Sequence, residues 1–217
     1  MFLTLNCTDG IERGTGVLGK DFRGECFQNK DFIDLSMRWT NCEGVNFEGS
    51  HFDRCSMEGA NFRRVNFSNA NLHNCCFSNT CLMGADFTGA GIIGNKFRHA
   101  ILKGVVFDKV KNNGRNGLYD LDFRGADLRG ASFKGLFLTA SVDFRFANLE
   151  GADFSDIKVQ TGGLDFKGAN LKGANFDGAL IKGETITRII TEQDTPFKLN
   201  ENKFNEDSPG VVNEYIL

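Results

Sequence analysis

Residues 59–89 read GANFRRVNFSNANLHNCCFSNTCLMGADFTG, and an apolar residue returns at every fifth place: Phe62, Phe67, Leu72, Phe77, Leu82 and Phe87. Outward from this stretch the same phase runs from Phe22 to Phe107, eighteen successive positions without one polar side chain. After a break it resumes at Phe123, Leu128, Phe133 and Leu138, then at Phe144, Leu149 and Phe154, and last at Phe166, Leu171, Phe176 and Ile181. A helix turns every ~3.6 residues, so a strict five-residue spacing would wander around its surface. Helix is therefore excluded for the body of the chain. Two places before the apolar residue a small or apolar one is common, as at Val65, Ala70 and Ala85, and two places after it Gly or Asn is common, as at Asn69, Asn74 and Gly84. A large inward residue, a small inward one and a residue tolerant of positive φ describe a short extended segment followed by a tight turn.

The segments GANFRRVNFSNANL, LDFRGADLRGASF and GANLKGANFDGA resemble the pentapeptide-repeat family, with its A(D/N)LxG-like unit. The resemblance implies an all-β fold, a right-handed quadrilateral parallel β-helix in which four pentapeptides make one coil. Residues 20 apart should then stack, giving columns Phe22–Cys42–Phe62–Leu82–Leu102, Phe27–Phe47–Phe67–Phe87–Phe107, Phe32–Phe52–Leu72–Ile92 and Met37–Met57–Phe77–Phe97. Beyond residue 107 the step is expected to lengthen to 21 and then 22, carrying Leu102 to Phe123, Phe144 and Phe166, and Phe107 to Leu128, Leu149 and Leu171. The column closes at about eight coils and about 40 Å of height at the usual strand spacing. Residues 1–16 form an N-terminal segment or cap, 17–183 the β-helix, and 184–217 an acidic C-terminal cap or dimerisation tail.

Composition agrees with this division. The chain holds 22 Phe against 2 Tyr and 1 Trp, as a narrow interior with no partner for a hydroxyl or indole N–H requires. The net charge of −3 hides a split: residues 20–183 carry +2 and the tail −4. No apolar run approaches the ~20 residues of a membrane-spanning helix, and the N-terminus lacks the pattern of a secretory signal, so a cytoplasmic protein is expected.

Enzymatic chemistry finds little support. His51, His73 and His99 fall at outward positions of different coils, no nucleophile shares a spacing with them, and the glycines follow the turn phase rather than a phosphate-binding pattern. Seven Cys without a CxxC pair argue against a disulfide framework and a zinc site. Cys55 and Cys75 stack inward at small-residue positions and read as apolar filler, although their distance suits a disulfide. No catalytic residue, metal, cofactor or small-molecule substrate is expected.

Two surface features remain. One place after the centres of the expected Phe22–Leu102–Phe123–Phe166 column a basic stripe is expected: Arg23, Arg63, Lys103, Arg124, Arg145 and Lys167. Acidic neighbours such as Asp21, Asp122, Asp143 and Asp165 favour an exposed charge ladder over a nucleic-acid groove, and direct nucleic-acid binding is not expected. The irregular stretches 108–122, 139–143 and 155–165 fall on one side of the column and carry outward Tyr119, Phe137, Phe146 and Ile157, which with Trp39 form a candidate partner-binding patch. The expected function is a rigid scaffold for an unidentified protein, with homodimerisation through the C-terminal end as a further possibility. The resemblance adds a DNA-mimicking protector of gyrase or topoisomerase as a rival, from which a column near +2 departs. The acidic tail with its apolar end adds an exported bacterial effector.

Overall fold

The computed structural model describes residues 16–111, 120–138, 141–159 and 164–181. Their short strands are β1 (Asp31–Ile33), β2 (His51–Asp53), β3 (Asn71–His73), β4 (Gly91–Ile93), β5 (Leu121–Asp122), β6 (Phe137–Leu138), β7 (Val142–Asp143), β8 (Lys158–Val159), β9 (Leu164–Asp165) and β10 (Leu180–Ile181). All pair in parallel, in the orders β1-β2-β3-β4, β5-β7-β9 and β6-β8-β10. Parallel bridges such as Asn41↔Asn61 and Asn46↔Asn66 continue the pairing on the remaining faces. The fold is a right-handed quadrilateral parallel β-helix, and among the described residues there is no helix.

Each pentapeptide repeats one backbone pattern. The N–H of the central residue donates to the next coil, as Phe47 does to the Asn66 carbonyl at 2.8 Å, and the N–H of the residue before the centre donates to the previous coil, as Asn66 does to Val45 at 3.0 Å. A turn bond closes the corner, Ser50 N–H to the Phe47 carbonyl at 3.1 Å. The preference for Asp or Asn before the centre has a local cause. Its side-chain oxygen accepts the N–H two residues on, as Asn66 does from Ser68 at 2.8 Å and Asp143 from Arg145 at 3.0 Å, sparing the chain an unpaired donor.

The faces are numbered here by their inward columns. The first holds Val17, Met37, Met57, Phe77, Phe97, Phe123, Phe144 and Phe166. On the third, Phe27, Phe47, Phe67, Phe87, Phe107, Phe133, Phe154 and Phe176 stack with ring centroids 4.8–5.5 Å apart. Rings of neighbouring faces meet edge to face, as Phe133 does Phe144 at 5.4 Å and 82°. The interior is thus a herringbone of rings in their favoured geometries. The few buried polar groups at small-residue positions are satisfied: Thr40 and Thr80 hydroxyls donate to the Met37 and Phe77 carbonyls at 2.7 and 2.6 Å. Asn95 donates to the Leu72 carbonyl at 2.9 Å and accepts the Cys75 N–H at 2.7 Å.

One part of the expected register is corrected. The columns agree up to Phe107, but Lys96 pairs with Asp122 and Ile101 with Asp127, so Phe123 lies over Phe97 and Leu128 over Leu102. The step across the break is 26 residues (Phe97 to Phe123) rather than 21, and only then do steps of 21 and 22 follow, to Phe144 and Phe166. Coils of near-uniform length are therefore not what forms. Turns of 20 residues run up to Lys111, and those beyond are longer. The added residues all fall in one corner, between the fourth face and the first, after Lys111, Leu138 and Val159.

Candidate functional site

The polar groups suited to catalysis are scattered over this frame. His51 and His73 meet edge to face at 5.8 Å on the fourth face. Burial, and then the neighbouring His51, depress the His73 pKa against the opposing pull of Asp53. The Cys42 thiol is pushed up to about 12 by burial, which leaves it protonated and inert. Cys55 and Cys75 are buried free thiols in contact: the Cys75 thiol lowers the Cys55 pKa, and burial raises that of Cys75. Among the described residues no three His, Cys, Asp or Glu converge as a metal site. A shallow hollow of about 300 Å³ on the fourth face is lined by Asn69, Asn71, Gly89, Gly91 and Lys111, with the Ala70 backbone between them, and it contains neither a nucleophile nor an acid–base pair.

The corrected register divides the basic stripe in two. Arg23, Arg63 and Lys103 belong to the second face, whose column continues to Arg129, whereas Arg124, Arg145 and Lys167 stand on the first face beyond Arg98. On that first face the cations alternate with carboxylates. Asp122 bonds Arg98 and Arg124, Asp143 lies 3.3 Å from Arg124 and 2.6 Å from Arg145, and Asp165 lies 3.5 Å from Arg145. On the second face Asp127 bridges Arg129 at 2.7 Å and Lys103 at 3.4 Å, and the Arg129 hydrogen bond holds the Asp127 carboxyl below its usual range. These are charge ladders that tie coil to coil, each pair worth about 0–1 kcal/mol at such exposure.

The aromatic candidates separate as well. Tyr119 lies outside the described residues, as do the N-terminal segment up to residue 15 and the tail 184–217. Phe137 is half-buried on the fourth face, paired with Lys158 in the β6–β8 register. Ile157, expected outward, is fully buried, because it occupies the small-residue position that points inward. Trp39 and Phe146, by contrast, come together on one edge, the corner between the first and second faces.

That edge is built from the residue two places after each first-face centre. Read along the column, its residues are Gly19, Trp39, Gly59, Asn79, His99, Gly125, Phe146 and Gly168, all with φ between 55° and 69°. From Gly19 to Phe146 the backbone N–H of each donates to the next coil, as Trp39 does to the Glu58 carbonyl at 3.1 Å and Phe146 to Lys167 at 3.0 Å. The two rings are 61% and 65% exposed, and each lies against the glycine of the following coil. A Cβ on Gly168 would stand 2.7 Å from the Phe146 ring, and one on Gly59 would run into the indole of Trp39. The sequence grouped both in one patch with Tyr119 and Phe137, but its expected register put Phe146 on another corner from Trp39. The usable signal was that both replace the Gly or Asn that a left-handed turn prefers.

Comparison with known proteins supports the frame. The model of the family described as pentapeptide repeats matches in eight copies, over residues 31–69, 40–79, 58–89, 118–157 and 162–183. None of the curated proteins matches. Among solved structures, a trypsin-treated form of QnrB1, a plasmid-mediated fluoroquinolone resistance protein, is 19% identical with a TM-score of 0.52 over 78% of this chain and 84% of that one. HetL, a pentapeptide-repeat protein involved in heterocyst differentiation regulation from the cyanobacterium Nostoc, is 17% identical with a TM-score of 0.34 over 79% of this chain and 89% of that one. With its five-residue phase, its four-faced coil and the family model matching more than half its length, the chain belongs to the pentapeptide-repeat family.

Proposed function

We propose that this protein is a non-enzymatic, rigid binding scaffold that offers the Trp39–Phe146 edge to a protein partner. The observation that carries the reading is that two large rings stand in water at left-handed turn positions on the same edge. A bulky side chain at such a φ costs about 1–2 kcal/mol relative to glycine. Neither ring returns that cost by entering the core. Exposed aromatics flanked by arginines are the side chains that dominate protein–protein contacts. Capture of partners from lysate by the wild type, compared with a Trp39→Gly/Phe146→Gly variant, tests it: loss of the captured protein is expected, and unchanged capture overturns the reading.

A protector of gyrase or topoisomerase, the reading suggested by fluoroquinolone resistance proteins of this family, has less support. The repeat region is near +2, and on the first face the carboxylates are paired with arginines, a departure from the strongly negative surface of a duplex-DNA mimic.

A further inference from the structure

We propose that the partner on this edge is a second copy of the same chain, packed antiparallel about a two-fold axis that passes between Asn79 and His99. The proposal rests on the reading of the edge as a protein-binding surface and names what it binds. The order along the edge is nearly the same from either end: glycine, aromatic ring, glycine, polar side chain, then polar side chain, glycine, aromatic ring, glycine. A two-fold axis at right angles to the column reverses that order in the second copy. Trp39 of each copy then meets Phe146 of the other, glycine meets glycine, and Asn79 meets His99. An isologous contact requires such self-complementarity, and a random arrangement of large and small side chains on eight turns seldom provides it.

The flanking strips obey the same symmetry. On the first-face side Glu58 comes opposite Arg124, a favourable pair, while Arg38 and Arg145, which also come opposite, are each already held by a carboxylate of their own coil stack, Glu58 and Asp143. On the second-face side, where the column runs Asn41, Asn61, Cys81, Ile101, Asp127 and Asn148, Asn61 comes opposite Asp127 and Cys81 opposite Ile101. Ile101 is 40% exposed and lies beside the axis opposite Cys81, with the amides of Asn41, Asn61 and Asn148 farther out along this strip. The aromatic anchors stand five coils apart, about 24 Å at the usual strand spacing. Each copy contributes two rings, about 300–500 Å². That is below the ~800 Å² per partner of a standard interface, so the dimer belongs to the weak, reversible class.

Trp39 is the single tryptophan, so its emission reads the contact directly. Sedimentation velocity and tryptophan emission are followed up to about 1 mM protein for the wild type, Phe146→Gly, Trp39→Gly and an equimolar mixture of the two variants. Glycine suits the turn at both positions, and an unchanged thermal melt verifies the fold. The wild type is expected to dimerise with a blue shift, and each variant to associate about tenfold or more weakly. The mixture regains association, because pairing Trp39→Gly with Phe146→Gly restores one complete Trp–Phe contact that neither variant forms with itself. A wild type that stays monomeric, a dimer indifferent to both substitutions, or a mixture no better than its components overturns the proposal. A monomeric wild type that still captures a different protein through these rings overturns the dimer while leaving the edge as a binding surface.

Discussion

Two corners of this column have the same backbone and opposite surfaces. The corner between the second and third faces reads Gly24, Gly44, Arg64, Gly84, Gly104, Gly130, Gly151 and Gly173, all at positive φ, and one side chain, Arg64, interrupts the glycines. The corner between the first and second faces makes the same turns with Trp39, Asn79, His99 and Phe146 among its glycines. The turn therefore does not need these side chains. Where one backbone is built twice, once nearly bare and once with rings, the turn geometry leaves the rings unexplained, and the proposed binding surface accounts for them.

The comparison breaks most visibly if the rings of the edge prove to hold the fold. Phe67 is fully buried in the third-face stack, and Phe67→Ala is expected to destabilise by about 3–5 kcal/mol, the lost burial plus the cavity left between two stacked rings. Trp39→Gly relieves the left-handed turn and removes a largely exposed ring, so its stability should change by less than about 1 kcal/mol. Urea denaturation of both variants measures the contrast. A Trp39→Gly loss as large as that of Phe67→Ala would make the edge structural.

A smaller effect sharpens the comparison within the turns themselves. Gly104→Ala and Gly59→Ala both place a Cβ at positive φ, 65° and 69°, at a cost of about 1 kcal/mol. At Gly104 nothing lies within 4 Å of the new atom, whereas at Gly59 it meets the Trp39 indole. Gly59→Ala must therefore displace the ring and weaken whatever contact the edge makes, and Gly104→Ala must not. In a Trp39→Gly background the two alanine variants should become equal. A double-mutant cycle on stability, with binding measured in parallel, isolates the ring-on-glycine contact.

How much of this was legible in the sequence follows from what the five-residue phase can and cannot count. From Phe22 to Phe107 the phase alone placed each inward residue over its neighbour 20 away, as the stacked Phe47, Phe67 and Phe87 bear out. Across residues 112–119 the count is ambiguous, because a step of 21 or of 26 residues puts an apolar residue over an apolar residue. The signal that resolves it is size. In the observed register Phe123 covers Phe97, Phe133 covers Phe107 and Leu128 covers Leu102, whereas the expected one put Phe123 over Leu102 and Leu128 over Phe107. Ring on ring keeps the stacked contacts of both Phe columns unbroken across the break. The Trp39–Phe146 edge was hidden for the same reason, since it exists only once that register is right.

The smallest expected effect separates the open edge from the fourth face, where an outward ring is half-buried against its neighbour. His73 packs against His51 beside Asp53, and its Nε2 is buried without a hydrogen-bond partner. Burial disfavours the imidazolium, so the folded chain holds this proton less tightly than the unfolded chain, whose value is near 6.5. Unfolding then takes up a proton as the pH drops below that value. The resulting stability is fully present above 6.5 and is lost as the pH falls through the lower folded value. Carboxylates are still ionised between about pH 7 and 5, which leaves the window to histidine. His73→Ile places in β3 the residue type that Ile93 already supplies at the paired position of β4. The denaturation midpoint of this variant should depend less on pH across that window than that of the wild type. An unchanged slope would mean that the buried Nε2 imposes no penalty on protonation, and that this face is as open to water as the edge.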